Sequence, residues 1–412
     1  MESNSAPCFD DDLEVVTLFS KFFLIKARDP DCDFKVVQSH VKVSARATRG
    51  DCKTLVFRDI SVEASDFRPA LKRMLLICLL SPSALSRGTD YGGAYFVGFS
   101  EFSKFAHESN VVTSPHISAP IDWNELIASW NVRGNGKALF EARVVFPDAT
   151  TPFYRFAVWS SREHYSITNQ TDQFGTVALD TLMMKRPGGK VQVRVTLTDG
   201  SPGDLKFLAL SFAETGASHG ALPSNRGAWG KKLSVRIESQ LDFPNNEKLC
   251  SPTGYSMILD FWARQLHRRE LSLTAPEIAR RAYDPSWQTP GNWAFNTAVG
   301  GHFEGIRSYV TRLSDISELE DWIEAGIPVA ASISFSRLED ETKTGKGHLV
   351  VCIGFEKNGD VIVNDPGTRR EWSRRTLLRE RFRAAWADSN NTVYLTYPEG
   401  AKIPTAKHGH WE

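Results

Sequence analysis

Charge of one sign is missing from this chain: in 412 residues, 49 Lys and Arg balance 49 Asp and Glu. A chain without net charge has no global field to draw in nucleic acid or an anionic membrane surface. Long apolar runs are missing too, since none reaches the roughly 18 residues that crossing a bilayer requires. No internal repeat is visible. Cysteine is sparse, with six residues at Cys8, Cys32, Cys52, Cys78, Cys250 and Cys352, none in a CxxC pair. That spacing excludes the usual zinc and dithiol redox motifs, and no metal or cofactor is expected.

What is present describes a soluble globular protein of two or three domains: apolar content is 41%, charged content 24%, and 11 Trp with 25 Phe can fill sizeable cores. Met1 to Pro30 carries no basic-then-apolar export signal. "LKRMLLICLLSPSALSRG" (Leu71 to Gly88) does have that order, with Lys72 and Arg73, the apolar block Met74 to Leu80, then Ala84-Leu85-Ser86. This is the arrangement of a secretory signal peptide displaced inward, and it fits a short buried strand or helix equally well. On the signal reading the true start lies near Leu71 or Met74, residues 1–86 are an extension with a mis-assigned start, and the protein is secreted or extracytoplasmic; on the other, it is cytoplasmic. Weak periodicity and polar pieces such as "DPDCDF" argue against a clear fold before Leu71.

From Ile121 to Ala213 the period is two. "KALFEARVVF" puts Ala138, Phe140, Ala142, Val144 and Phe146 on one face and Glu141 and Arg143 on the other, and "VQVRVTLT" alternates in the same way. With turn signals at "RGNG", "FPDATTP" and "RPGG", this predicts an all-β sandwich over residues 87–225. Glu214 to Lys232, rich in Gly, Ser, Asn and Pro, reads as a linker. Residues 226–400 then read as an α+β domain. Helices are expected at Ser251–Leu266, Ala275–Tyr283, near Phe303–Val310 and at Glu318–Ala325, the last with a Ser317/Glu320 capping box and a stop at Gly326. Strands follow at Pro328–Phe335, His348–Phe355, Asp360–Asp365 and Asn391–Tyr397, and residues 401–412 read as a solvated tail.

Cys250 sits at the mouth of the first of these helices, where first-turn amides and the macrodipole favour a thiolate. Cys352, in the apolar run "HLVVCIGF", reads as a buried, inert thiol. A nucleophilic thiolate needs an imidazole, and the imidazole needs an acceptor to orient it. His348 and Asp365 flank two strands joined through "EKNGD". A minimal two-residue turn sets Asp365 opposite Cys352, and a longer loop brings it closer to His348. Gln240, upstream of the cysteine, could donate its amide to an oxyanion. Each residue taken alone has an ordinary structural explanation: a buried thiol, a core histidine, a turn-forming Asp before Pro366, a surface glutamine. The order Cys…His…Asp favours the chemical reading. Trp123, Trp130 and Trp159 are expected in the sandwich core, with stacking on sugars as the alternative.

These motifs, "Q…CSPTGYSMILDFW", "GNWAFNTAVGG", "ELEDWIEAGIPVAASISF", "GHLVVCIGFEKNGDVIVNDP" and "RFRAAWADSNNTVYLTYP", resemble the bacterial papain-like cysteine peptidases of family C thirty-nine, the bacteriocin-processing group, in its stand-alone secreted branch. The resemblance runs from Ser239 to Pro398. "WNELIASWNV" and "DQFGTVALDTL" resemble the β-rich domain that precedes this unit in exported bacterial proteins. The resemblance implies a papain-like α+β fold with Cys250 as nucleophile, His348 as general base and acid, Asp365 as its orienter and Gln240 as oxyanion donor; Asn296 matches a motif without an assigned role. The implied activity is hydrolysis of a peptide or isopeptide amide in a peptide or protein substrate. A cell-wall amidase or transferase using the same triad, or a vestigial unit whose sandwich contacts glycans or a cell surface, are the alternatives.

Overall fold

The computed structural model describes residues 90–412 apart from 217–219, 340–341, 343–344 and 346, together with the backbone of strands between residues 17 and 64. The chain divides into two compact units, Met1–Gly88 and Thr89–Glu412. In the first, strands Asp33–Gln38, Val41–Gly50 and Thr54–Ala64 pair as an antiparallel sheet, where weak periodicity had argued against a clear fold. The signal-like segment Leu71 to Gly88 lies outside the described residues.

The second unit opens with the expected sandwich, two six-stranded antiparallel sheets. Strands β1 (Glu125–Val132) and β4 (Leu205–Ala213) are neighbours in one sheet. β2 (Lys137–Val145) and β3 (Lys190–Thr198) are central in the other, registered so that Phe140 faces Val195. β3 alternates buried and less buried positions along its whole length, with Val191, Val193, Val195 and Leu197 inward. Glu141 departs from the alternation. It is buried, and its carboxylate accepts a 2.7 Å hydrogen bond from Arg194 directly across the strands. Trp123, Trp130 and Trp159 are all buried in the core, so none offers a face to a sugar.

The linker is held down over its second half. Trp229 Nε1 donates to Glu320 (2.6 Å), and the amides of Gly230 and Leu233 donate to the carbonyls of Phe355 and Ile353. Beyond it lie α1 (Cys250–Leu266), α2 (Ala275–Arg281), α3 (Trp293–Gly301), α4 (Ile316–Glu324), α5 (Phe335–Glu339) and α6 (Arg379–Ala387). Six antiparallel strands accompany them: β5 (Ile306–Arg312), β6 (Val329–Ser334), β7 (Gly347–Phe355), β8 (Val361–Asn364), β9 (Arg374–Leu377) and β10 (Thr392–Pro398), in the order β5-β10-β6-β7-β8-β9. This is the α+β arrangement read from the sequence, with two corrections. The segment expected as a helix near Phe303–Val310 is strand β5. Burial of nearly every residue hides its period, and Ile306, Val310 and Thr311 are β-branched. The expected Ser317/Glu320 box does not form. Asp315 caps α4 through the Ser317 amide (2.9 Å), and Glu320 is buried against Trp229 and Arg379. Gly326, at φ 83°, ends the helix as expected.

β5 is an edge strand, and the sandwich covers it. Asn131 of β1 accepts from the Ser308 amide and donates to the Ser308 carbonyl, while Ser129 accepts from the Val310 amide. An exposed row of strand amides and carbonyls is thereby paired. Gly301 makes the approach possible, because a Cβ there would sit 2.0 Å from Asn131 Nδ2. Sandwich and α+β domain thus share one core: Trp159 meets Phe295 at 5.2 Å, and Phe96 stacks on Tyr309 at 4.7 Å.

The end of the chain is not solvated. His410 and Trp411 are buried, Trp411 packs edge-on to Trp322 at 5.4 Å, and its Nε1 donates to Pro404 O (2.8 Å). A single large aromatic can outweigh a polar neighbourhood in deciding burial. Trp411→Ala should therefore lower stability by about 3–5 kcal/mol in denaturant unfolding; a loss under about 1 kcal/mol would mean that the tail is not part of the core.

Candidate active site

Helix α1 begins at Cys250, one residue earlier than its periodicity indicates. Pro252 suits the first turn because its missing N–H would have had no helical partner. Tyr255, Ile258 and Leu259 are fully buried, and α1 packs on β7, where Gly254 comes so close that a Cβ would lie 3.1 Å from Leu349 Cδ2. Ser251 Oγ is tied to Tyr394 OH at 2.9 Å, so this hydroxyl anchors the helix and is no rival nucleophile. Cys250 itself is half-buried, with its thiol toward His348 on β7. Cys352 is fully buried, and burial pushes its thiol up to about 12.

β7 and β8 are joined by a loop longer than the minimal turn, closed by Glu356 N–H on Asp360 O, with a bulge between Cys352 and Gly354. Val351 consequently faces Asn364, which sets the next residue, Asp365, across from Val350 and diagonal to His348 on the same face. The side chains close the remaining gap: His348 Nε2 and Asp365 Oδ1 are 2.7 Å apart. With Nε2 engaged, Nδ1 is the nitrogen left for the thiol. Asp365 is fully buried and fully satisfied, accepting from the Gly367 amide (2.9 Å) on Oδ1 and from Arg375 Nη1 (2.9 Å) on Oδ2. Arg375 and Gly367 were invisible in the sequence pattern. Arg375 lies on β9, a short strand with no clear alternation, and contact between β8 and β9 is a tertiary fact.

The three groups tune one another. Burial alone would raise the Cys250 thiol, but the hydrogen bond and charge of His348, with the amides of Leu349 and Ser251, more than offset it and hold the thiol below its ordinary value. Burial would lower His348, yet Asp365 and Cys250 raise it to about 9. Burial would raise Asp365, and His348, the Gly367 amide and Arg375 together hold it low. Phe335 meets the imidazole edge-on at 5.3 Å and shields one side. This is the electrostatic pattern of a thiolate beside an imidazolium beside a carboxylate.

Gln240 is buried nearby, on the loop leading to α1. Its amide N–H donates to Pro366 O and its Nε2 to Asn246 O, both at 2.9 Å, while Oε1 has no partner. It makes no hydrogen bond to the other three side chains. Asn296 is buried on α3, donating through Nδ2 to Pro290 O and Asn292 O, which braces the start of that helix. Cys250 and His348 line a cleft of about 570 Å³ whose wall also includes Trp287, Trp293 and Tyr394. Among the described residues no group of His, Cys, Asp and Glu could hold a metal ion. No helix among them is long and apolar enough to cross a membrane.

Comparison with known proteins divides the chain along the same line as its architecture. Residues 232–394 match the model of the Peptidase_C39 like family, and residues 98–206 that of the Peptidase C39 N-terminal domain. No curated protein matches the chain.

Proposed function

We propose that this chain, whose residues 232–394 form a C39-like papain-like peptidase domain behind its all-β N-terminal domain, is a cysteine peptidase acting through Cys250, His348 and Asp365. The observation that carries the reading is the buried line from Asp365 through His348 to the thiol at the mouth of α1, opening on a cleft. Cys250 thiolate attacks the carbonyl carbon of the scissile amide, and its electron pair moves onto the carbonyl oxygen. The first-turn amides of α1 face that developing charge, and Gln240 Nε2, which has a second hydrogen beyond the one given to Asn246, is the side-chain donor. The imidazolium of His348 protonates the leaving amine, which departs and leaves a thioester. His348, now neutral, takes a proton from water as it attacks the thioester carbonyl, and the C–S bond breaks to release the acid and the Cys250 thiolate, restoring its pairing with the imidazolium. Asp365 keeps the imidazole oriented and stabilises its charged form, and Arg375 and Gly367 hold Asp365.

The test is cleavage of an unbiased peptide library by wild type and Cys250→Ala. New termini formed by wild type alone support the reading, and the same cleavages by both proteins would end it. A second variant probes geometry. A Cβ at Gly367 would lie 2.8 Å from His348 Cε1 and 3.2 Å from Asp365 Oδ1. Gly367→Ala must therefore push the imidazole aside, and a misplacement of about 1 Å costs on the order of 10²-fold. The expected result is that fall in kcat/KM with an unchanged melting temperature; undiminished kcat/KM would show that the imidazole position tolerates the shift.

A further inference from the structure

One wall of the cleft comes from the other domain. The sandwich strands Gly175–Ala178 and Thr181–Met184 pair with Ala178 facing Thr181, leaving a two-residue turn, Leu179–Asp180. Both turn residues line the cleft that holds Cys250 and His348. The turn is an unfavourable one for its sequence. Leu179 has φ 58°, in the left-handed region where a turn of this length calls for glycine. Strain of this kind concentrates at functional positions and persists only where the surroundings enforce it.

The surroundings do enforce it. Asp180 Oδ2 accepts from the Trp293 amide at the start of α3 (3.2 Å), and Oδ1 accepts from Thr181 Oγ1 (3.2 Å). Beneath the hairpin, Glu125 of β1 is paired with Arg312 of β5. These contacts pin the turn to the catalytic domain at the rim of the cleft. The cleft lining includes apolar side chains that are partly open: Leu179 is half-buried, Met183 is 37% exposed and Trp287 42% exposed, and Trp293 lines the same cleft, whose charged members include Glu247, Lys248 and Asp388. Large apolar side chains left open in a concave site mark a place where a ligand buries them. Arg312 in the lining gives its Nη2 to Glu125 and keeps a buried Nη1 without a hydrogen-bond partner, and Lys248 is a second cation there, so an Asp-bearing probe tests the anionic alternative.

We propose that the hairpin tip is a specificity element of the peptidase: Leu179, held in the left-handed conformation at the rim of the Cys250 cleft, forms with Met183, Trp287 and Trp293 a subsite for an apolar side chain of the peptide substrate. The inference rests on the peptidase reading of Cys250. It gives the N-terminal domain a direct part in substrate recognition.

Leu179→Gly separates shape from folding, because glycine adopts the same φ without strain and the variant should melt no lower than wild type. The measurement is the rate of Cys250 alkylation, by mass spectrometry, with a panel of peptidyl fluoromethyl ketones differing in one side chain: Leu, Phe, Gly, Asp or Lys. Iodoacetamide serves as the small control. Wild type should favour the Leu and Phe probes, and Leu179→Gly should lose at least about tenfold of that preference while its iodoacetamide rate stays within about twofold. A full preference in Leu179→Gly, or no preference in wild type, would overturn the subsite. The two failures separate: a thiol slow toward iodoacetamide sinks the nucleophile, whereas a reactive thiol with no apolar preference sinks the subsite.

Discussion

Cys250→Ala is expected to give a fully folded protein whose kcat/KM for peptide cleavage is at least about 10⁴-fold below wild type. Loss of the nucleophile removes the covalent route, and the other two members of the triad have nothing to act on. Folding should be untouched, since the side chain removed is small and only half-buried at the first position of α1. The same variant should also lose the iodoacetamide adduct that peptide mapping places at residue 250 at pH 6. Its remaining described cysteine, Cys352, is buried with a thiol pushed up to about 12, and stays unreactive in the folded state. The sign of the pH dependence follows from the two shifts. The Cys250 thiol is held low, so the thiolate is present above that depressed value and is lost as the pH falls through it. His348 is held up to about 9, so the imidazolium survives neutrality and is lost as the pH rises past that value. Activity should be bell-shaped, with an acid limb below the ordinary thiol range and an alkaline limb near 9. Wild-type alkylation that rises only through the ordinary thiol range would refute the ion pair.

Asp365→Asn should lower kcat/KM by about 10³- to 10⁴-fold while leaving the chain folded. Asparagine preserves the shape but not the charge, so the imidazolium of His348 loses its main support, and the thiolate that depends on it weakens in turn. A purely structural role would depress activity equally at every pH. The orienting role moves the acid limb of Cys250 alkylation upward, and that shift is the discriminating measurement. Stability should also fall at neutral pH, by about 1–3 kcal/mol, because Arg375 loses the buried one of its two carboxylate partners and keeps only the more exposed Glu339, while remaining partly solvated. The sign agrees with linkage. The carboxyl is depressed in the folded state, so its contribution is present above the unfolded value near 3.9 and lost as the pH falls through the folded one. Unchanged pH dependence in Asp365→Asn would remove this residue from the site.

Much of this was legible in the sequence, and its omissions have identifiable causes. β3 could be read because it buries one face and leaves the other more open, whereas α1, buried all round from Ser251 to Leu259, was legible from the helical spacing of Tyr255, Ile258, Phe261 and Trp262 and from Pro252 in its first turn. α3 and β5 could not, because they are buried nearly all round and their polar residues are spent on the sandwich and on helix caps. Cys250, His348 and Asp365 could be named, but their meeting turned on the β7–β8 loop and its bulge, where two residues of register decide the diagonal. Arg375 and Leu179 carried no local signal. One matters for its position on a neighbouring strand and the other for a backbone angle that its own type disfavours.

The burial of the final residues has a consequence for how the molecule is threaded. Asp90 O is bonded to His408 Nδ1 at 2.7 Å, Tyr91 O to His410 Nε2 at 2.6 Å, and Phe96 N–H to Gly409 O at 2.8 Å. The two ends of the second unit are therefore stitched together, and the polypeptide from Asp90 to Glu412 is in effect a ring with one covalent link absent. A short peptide could close that link and a surface loop could be opened elsewhere with every described contact kept.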